Sequence, residues 1–297
     1  QNNAETQFQN WYLDIDGTTG DVILSRNLGR GGYWRLTDHG NGIVTFQNNA
    51  ETQFQNWYLD ISVTPEVPPH DRIVIGCISG LFGHADVIGN SAMRNLRDFL
   101  RNYLKDYVNP ENIFYQSWNP GSGYEDVPFS EPNTGILDAE IQRRSRNPSY
   151  LALIGFSYGG WAVSRLSRIT RRMPDFIGLI DPVYGPFNSI KENDIPRGNS
   201  IKSWYQNYAI NELEPCTGAT KIPCIGNQSG IFCGNQHVPG AENIHEEYLK
   251  NWDGNRERKP CPLIGRVPIH STHANIAGNH WIWRQISEKI YSDIRNI

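Results

Sequence analysis

The sequence predicts an α/β fold with a mostly parallel central sheet, preceded by a small all-β module. Over residues 72–297, apolar runs typical of buried strands alternate with patterns typical of amphipathic helices, whereas residues 1–61 hold short alternating segments separated by turn residues. The Pro-rich stretch 62–71, SVTPEVPPHD, predicts a linker between them. A chain of 297 residues has room for one α/β domain of roughly 230 residues beside a small module.

The first module contains a duplication. Residues 1–15, QNNAETQFQNWYLDI, recur unchanged at 47–61. The unit resembles one repeat of a β-trefoil of the ricin-B or a related lectin-like type, and a complete trefoil needs three. The module is therefore the tail of a longer array, or it packs against the rest of the chain or another copy. The resemblance implies that the exposed rings of Trp11, Trp34 and Trp57 bind carbohydrate. The alternative is that these rings pack in a core.

The overall charge gives no sign of a polyanionic partner. There are 27 basic and 31 acidic residues, a formal net charge of −4. Nucleic acid and anionic membrane surfaces are therefore not predicted partners. No apolar run reaches about 18 residues, so no transmembrane helix is predicted. The absence of a visible signal peptide and the start at Gln1 suggest a processed N-terminus.

Four of the five cysteines lie in one polar region rich in glycine and proline. They predict two disulfides with three alternative connectivities, and hence a secreted protein or another oxidising compartment. Their spacings of 8, 9 and 28 lack the close pair typical of a zinc site, so no metal or other cofactor is predicted. The fifth, Cys77, is predicted to be a buried apolar residue. The four are Cys216, Cys224, Cys233 and Cys261.

The α/β domain begins with a βαβ pattern. Residues 72–79, RIVIGCIS, predict a buried strand, residues 91–107 an amphipathic helix, and residues 113–118 a second strand. A helix between two such strands predicts a parallel pair. Residues 135–147 predict the helix that leads to the next strand.

The most informative stretch is a strand, a glycine-rich turn and a helix. The apolar run 150–156 leads into Gly155-Phe156-Ser157-Tyr158-Gly159, a match to G-x-S-x-G, and residues with helical spacing follow. In this context the turn would present the Ser157 hydroxyl above the sheet, at the N-terminus of a helix. We therefore interpret Ser157 as a nucleophile, and the alternative is that it only caps the helix.

A second strand, 176–180, ends at Asp181, which stands 24 residues after Ser157. GFSYGG followed by GLIDPVYGPF resembles the elbow and acid strand of the animal triglyceride lipase family. This resemblance implies an α/β-hydrolase fold with a mostly parallel central sheet flanked by helices, with Ser157 as nucleophile and Asp181 as acid. Val183 and Tyr184 depart from the family pattern, so the resemblance does not imply triglyceride as substrate. The alternatives are that Asp181 is only a turn former before proline and that Asp253 is the acid.

The base should be a late histidine, because the acid and then the base follow the nucleophile in the chain order of this fold. The sequence around Val267 predicts a short strand, a turn and a C-terminal helix. His273 lies in that turn, and H-A-N-I resembles the turn that carries the base in several bacterial and fungal hydrolases. His270, at the end of the strand, is the second candidate. His84 and His280 are interpreted as structural or solvent-exposed, whereas His237 and His245, in the long segment after Asp181, are remote alternatives for the base.

Two backbone N–H groups are candidates to stabilise an oxyanion. One is that of Tyr158, at the start of the helix after the nucleophile. The resemblance places the second at Leu81 or Phe82, in the glycine-containing loop after the first strand. Residues 185–266 predict a disulfide-bearing lid or cap, because so long a loop-rich segment is unusual unless it is functional.

These features together predict a serine esterase or lipase that acts on a small-molecule ester or lipid through an acyl-enzyme on Ser157. Two alternatives remain open at this stage. One is a non-catalytic binding protein that combines a hydrolase-like domain with a lectin-like module. The other is a thioesterase or peptidase that uses the same three side chains.

Overall fold

The computed structural model describes five strands within residues 12–60 and, further on, residues 69–81, 88–122, 127, 129–208, 224, 233–261, 265–295 and 297. Side chains are described from residue 70 on, and in the first helix from Ser91 on. The chain divides into two compact units, Gln1–Val67 and Pro68–Ile297. This division lies within the stretch predicted to be a linker.

The first unit contains an antiparallel sheet whose five strands follow one another in chain order. The two copies of the duplicated sequence supply its first and last strands, each of which contains Tyr-Leu-Asp. The side chains of the three tryptophans considered for carbohydrate binding lie outside the described residues. The strands are β1 (Tyr12–Ile15), β2 (Val22–Asn27), β3 (Arg30–Asp38), β4 (Ile43–Asn48) and β5 (Trp57–Asp60).

The second unit is built on a six-stranded sheet whose neighbouring strands are all parallel. Its spatial order is β11-β10-β9-β8-β6-β7. All seven residues of β6 and all seven of β8 are buried, as their continuous apolar runs require of strands covered on both faces. The strands are β6 (Ile73–Ser79), β7 (Ile113–Ser117), β8 (Tyr150–Phe156), β9 (Phe176–Ile180), β10 (Ser200–Tyr205) and β11 (Glu242–His245).

Helices cover both faces of this sheet. Alternate residues of β6 enter different cores: Ile75 belongs to the core that also contains side chains of α1 and α4, and Val74 to the core that contains side chains of α2 and α3. The resulting three layers and the strand order confirm the predicted fold class, that of the α/β hydrolases. The helices are α1 (Ile88–Tyr103), α2 (Thr134–Arg144), α3 (Tyr158–Leu166) and α4 (His280–Ile294).

Part of the range 185–266, which the sequence predicts to be a lid, belongs to the central sheet. It contains β10 and β11, which form one side of the central sheet. Only the remainder of the range is left for a lid, including the hairpin strand β12 (Arg258–Cys261). The strand predicted just before the base is present as β13 (Gly265–Pro268), but it is not part of the central sheet. It pairs with β12 in an antiparallel hairpin. The last strand of the central sheet is β11.

Candidate active site

Ser157 lies in a sharp turn between β8 and α3. Its backbone has φ 56° and ψ −126°, outside the regions that most L-residues adopt. The turn is possible because glycines allow close approach on both sides. A Cβ at Gly155 would lie 2.3 Å from the carbonyl oxygen of Gly159, and a Cβ at Gly159 would lie 2.3 Å from that of Ile78. The predicted strand, turn and helix are therefore present, with the serine at the carboxyl end of a central strand.

The turn at Ser157 is bonded directly to the turn that carries Asp181. The Ser157 N–H donates to the Ile180 carbonyl at 3.1 Å, and the Val183 N–H donates to the Ser157 carbonyl at 3.0 Å. Because β8 and β9 are parallel neighbours, their carboxyl ends meet at the same edge of the sheet. This arrangement fixes the spacing between the hydroxyl and the carboxylate.

His273 joins the two side chains. With its proton on Nδ1, the imidazole donates to Asp181 Oδ2 at 2.6 Å and accepts from Ser157 Oγ, which is 2.9 Å from Nε2. This tautomer is assigned because an ionised carboxylate can only accept. Only 4% of Ser157, none of Asp181 and 8% of His273 is exposed. The structure thus brings the three sequence-predicted residues into one hydrogen-bonded chain.

Asp181 is enclosed by backbone and by a neighbouring amide. Its N–H donates to the Trp204 carbonyl at 2.7 Å, and the Gln206 Nε2 donates to the same Oδ2 that His273 contacts, at 2.8 Å. A Cβ at Gly234 would lie 2.2 Å from the other carboxylate oxygen, Oδ1. Within the described part of the chain, Oδ1 has no hydrogen-bond partner. Both of these side-chain hydrogen bonds to the carboxylate therefore fall on the oxygen that faces the imidazole.

The imidazole of His273 is held by contacts on several sides. Its ring lies on the Phe156 ring, with centroids 5.1 Å apart and 29° between the planes. Its backbone N–H donates to the Tyr208 carbonyl at 3.3 Å. The preceding Thr272 N–H donates to the Asn275 side chain at 2.7 Å, which closes the turn. The ring is therefore oriented before any ligand binds.

The other candidate residues lie elsewhere. The ring of His270 packs on Tyr248, with centroids 4.4 Å apart. His280 is the first residue of α4, and its Nδ1 lies 3.8 Å from a Glu257 carboxylate oxygen. Asp253 is exposed. His237 and His245 are exposed as well, and His84 lies outside the described residues.

The two predicted oxyanion donors lie at the start of α3 and just after β6. Tyr158 is the first residue of α3, and its side chain is buried against Trp118 and Trp161. This burial raises the pKa of the Tyr158 hydroxyl to about 12. Leu81 follows the carboxyl end of β6 and is half-buried. The alternative, Phe82, lies outside the described residues.

Gln206 is the site residue that the sequence analysis missed. It directly follows β10, and Trp204 pairs with Ile180 in register, so Gln206 reaches the end of β9. The signal that could have found it is the rule that polar residues just after parallel strands gather at one edge of the sheet. The sequence of residues 200–210, SIKSWYQNYAI, predicts a short strand or a helix and does not assign the segment to the central sheet.

A disulfide lies beside the candidate site. Cys224 and Cys233 are bonded to each other, and Cys261 is also disulfide-bonded. Cys216 and the sequon asparagine Asn227 lie outside the described residues. Cys77 is a free thiol in β6, and its burial raises its pKa to about 12.

Neither a metal site nor a membrane-spanning element is found in the part of the chain that the structure describes. No group of three or more histidine, cysteine, aspartate and glutamate side chains there is arranged to hold a metal ion. Among the helices described, none combines the length and apolar character needed to cross a bilayer.

Comparison with known proteins adds a distant structural likeness. No protein-family model matches this sequence, and no curated protein matches it. Among solved structures, the chain is similar to one from Pectobacterium atrosepticum that is described as a YdeN-like hydrolase. The two share 15% sequence identity over 49% of this chain and 69% of that one, with a TM-score of 0.31. The function of this chain therefore has to follow from its own geometry, centred on Ser157, Asp181 and His273.

Proposed function

We propose that the chain is a serine hydrolase that cleaves carboxylic esters through an acyl-enzyme on Ser157. The observation that carries this proposal is the continuous chain of hydrogen bonds from the Ser157 hydroxyl through His273 to Asp181. A buried serine in a strained turn, an imidazole with a fixed tautomer and a buried carboxylate form the arrangement that activates a hydroxyl for attack on an acyl group.

In the first half of the reaction, His273 Nε2 takes the proton of Ser157 Oγ as that oxygen bonds to the ester carbonyl carbon. The ester C–O bond then breaks, and the alcohol leaves with the proton held by His273. In the second half, water attacks the acyl carbon and gives a proton to His273, which returns it to Ser157 Oγ as the carboxylic acid is released. Asp181 stays ionised and stabilises the imidazolium in both halves.

The negative charge that develops on the carbonyl oxygen needs donors. We assign these to the backbone N–H groups of Tyr158 and Leu81, at the start of α3 and after β6. The N-terminus of α3 adds a favourable partial positive charge. Loss of one such donor lowers kcat by about 10²- to 10³-fold.

An ester or lipid substrate is favoured over other acyl compounds by the sequences around the nucleophile and the acid, which resemble the elbow and acid strand of the animal triglyceride lipase family. The disulfides favour action in an oxidising compartment, such as outside the cell. Carbohydrate binding by the first unit stays a prediction of the sequence alone.

The test is turnover of p-nitrophenyl esters from acetate to palmitate by the wild type and by Ser157→Ala, Asp181→Asn and His273→Ala. Each variant is expected to lose at least about a thousandfold in kcat, because the three groups act as a unit. His270→Ala is the matched control and should keep nearly full activity. If His270→Ala is inactive while His273→Ala is active, the base is misassigned.

A fluorophosphonate probe separates the enzyme from a binding protein that merely has this fold. The probe should modify Ser157 in the wild type and fail to modify Ser157→Ala. A wild type that neither reacts with the probe nor hydrolyses any of the esters would contradict the proposed function.

A further inference from the structure

A buried carboxamide stands directly beside the acid of the candidate site. Gln206 is completely buried, and its Nε2 donates to Asp181 Oδ2 at 2.8 Å. That oxygen also receives the bond from His273 Nδ1. Asp181 Oδ2 therefore accepts from the imidazole on one side and from an uncharged amide on the other.

The orientation of this carboxamide is determined by the backbone. The N–H of Tyr208 donates to the Gln206 Oε1, which leaves the NH₂ group to face the carboxylate. The same Tyr208 accepts from the backbone N–H of His273 through its carbonyl. The segment 206–208 thus contacts both Asp181 and His273 and sets their relative position.

A disulfide holds this segment against a second one. Cys224 donates through its N–H to the Asn207 carbonyl at 2.8 Å, and Cys224 is bonded to Cys233. Gly234 and Asn235 follow Cys233, and the Asn235 N–H donates to the Pro182 carbonyl at 2.6 Å. The two segments therefore enclose the turn after β9 from both sides.

We propose that Gln206 is a positioning residue for Asp181: its amide keeps the carboxylate oxygen Oδ2 aimed at His273. This role rests on the proposed hydrolase function. Each hydrogen bond to Oδ2 restricts rotation of the carboxylate, so the amide and the imidazole together select one orientation of Asp181.

Removing the amide should have a defined kinetic signature. Gln206→Leu is expected to lower kcat about tenfold to a hundredfold with little change in KM, because the residue contacts Asp181 and not the substrate. The rate at which a fluorophosphonate labels Ser157 should fall by a similar factor, because labelling depends on the same hydrogen-bonded chain.

Gln206→Glu is the second variant and keeps an acceptor for the Tyr208 N–H. It has nearly the shape of glutamine, but its carboxylate cannot donate to Asp181, so kcat should fall at least as much as in Gln206→Leu. Gln236→Leu is the control. Gln236 lies in the neighbouring segment and donates to the Asn207 side chain at 3.2 Å. This control should keep the wild-type kcat and labelling rate.

The outcomes separate the role of Gln206 from the function itself. Wild-type kcat in either Gln206 variant, or a loss that appears in KM and not in kcat, would overturn the positioning role while Ser157-dependent turnover of the wild type upholds the function. A wild type without Ser157-dependent turnover would overturn both. If Gln206→Leu does not fold, wild-type kcat in Gln206→Glu is sufficient to overturn the role.

Discussion

The backbone of Gly80 lies directly against the side chain of Ser157: a Cβ at position 80 would be 2.6 Å from the Ser157 Cβ and 3.0 Å from its Oγ. Gly80 directly follows β6, the neighbour of the strand that carries the serine. The Ser157 hydroxyl can therefore occupy this position only because Gly80 has no side chain.

Gly80→Ala should therefore impair the site more than the fold. Contacts closer than 3.0 Å do not persist, so Ser157 or the backbone of residue 80 must shift, and we expect the disturbed Ser157–His273 contact to lower kcat by at least about tenfold. Ester turnover and the rate of fluorophosphonate labelling measure this. The control is Gly178→Ala in β9, where the nearest atom to a new Cβ is 3.5 Å away. Equal activity in the two variants would contradict the prediction.

Reduction of the Cys224–Cys233 disulfide should lower activity. The disulfide links the two segments that enclose the turn after β9. When it is reduced, these segments can move apart and the position of Asp181 is less restricted. We expect a loss of about tenfold in kcat on adding a thiol-free phosphine reductant. Because Cys261 is also disulfide-bonded, the double variant Cys224→Ser with Cys233→Ser is needed. It should have low activity already before the reductant is added, and full activity in this variant would exclude the role.

A buried ion pair anchors the segment after Asp181 to α3. Asp194 is 1% exposed and accepts from Arg165 Nε and Trp161 Nε1, each at 2.7 Å. Asp194→Ala removes the acceptor of the Trp161 indole and of the Arg165 Nε, while Arg165 keeps its bond to Glu131, so the free energy of unfolding should fall by about 2–3 kcal/mol. Urea denaturation measures this loss.

Asp98→Ala is the control for that experiment. Asp98 pairs with Arg97, but 56% of its side chain is exposed. An exposed pair contributes at most about 1 kcal/mol, so the variant should unfold close to the wild type. If the two variants were destabilised equally, burial would not be what makes the Asp194 contacts important.

The thiol of Cys77 should be unreactive in the folded protein. Burial raises the pKa of the Cys77 thiol to about 12, so almost no thiolate is present at pH values well below 12. In the unfolded chain the pKa returns towards about 8.5, so the folded state loses stability as pH rises from that value towards 12. Iodoacetamide at about pH 9 should therefore modify Cys77 only in denaturant, as measured by mass spectrometry. Rapid modification without denaturant would contradict the burial of this strand.

The parts of the site that the sequence predicts are those with strong local patterns. The apolar run before Ser157 and the glycines around it determine the turn locally, and Asp181 follows the next apolar strand. His273 was predicted from chain order and a short turn motif. The structure brings these three side chains together, whereas their catalytic roles remain proposals.

Other parts of the fold depend on contacts between distant segments, which a local pattern does not record. β10 is only partly buried, with Trp204 and Ser203 as its two fully buried residues, so its alternation of apolar and polar residues is weak. β11 contains four residues, none of them buried. Because both lie at one side of the sheet, their sequences lack the continuous apolar run that identifies β6 and β8. Gln206 could not be assigned a role without β10.

The three residues of the hydrogen-bonded chain also have an order in time, because protein synthesis proceeds from the N-terminus. Ser157 and Asp181 leave the ribosome together with the strands that carry them, whereas His273 follows only after β11 and the β12–β13 hairpin. Until then the nascent domain has a serine hydroxyl with no imidazole beside it. α4, which completes one of the two cores, is synthesised later still. Any chemistry at Ser157 therefore has to wait until the segment that carries His273 has been synthesised and has packed against Asp181.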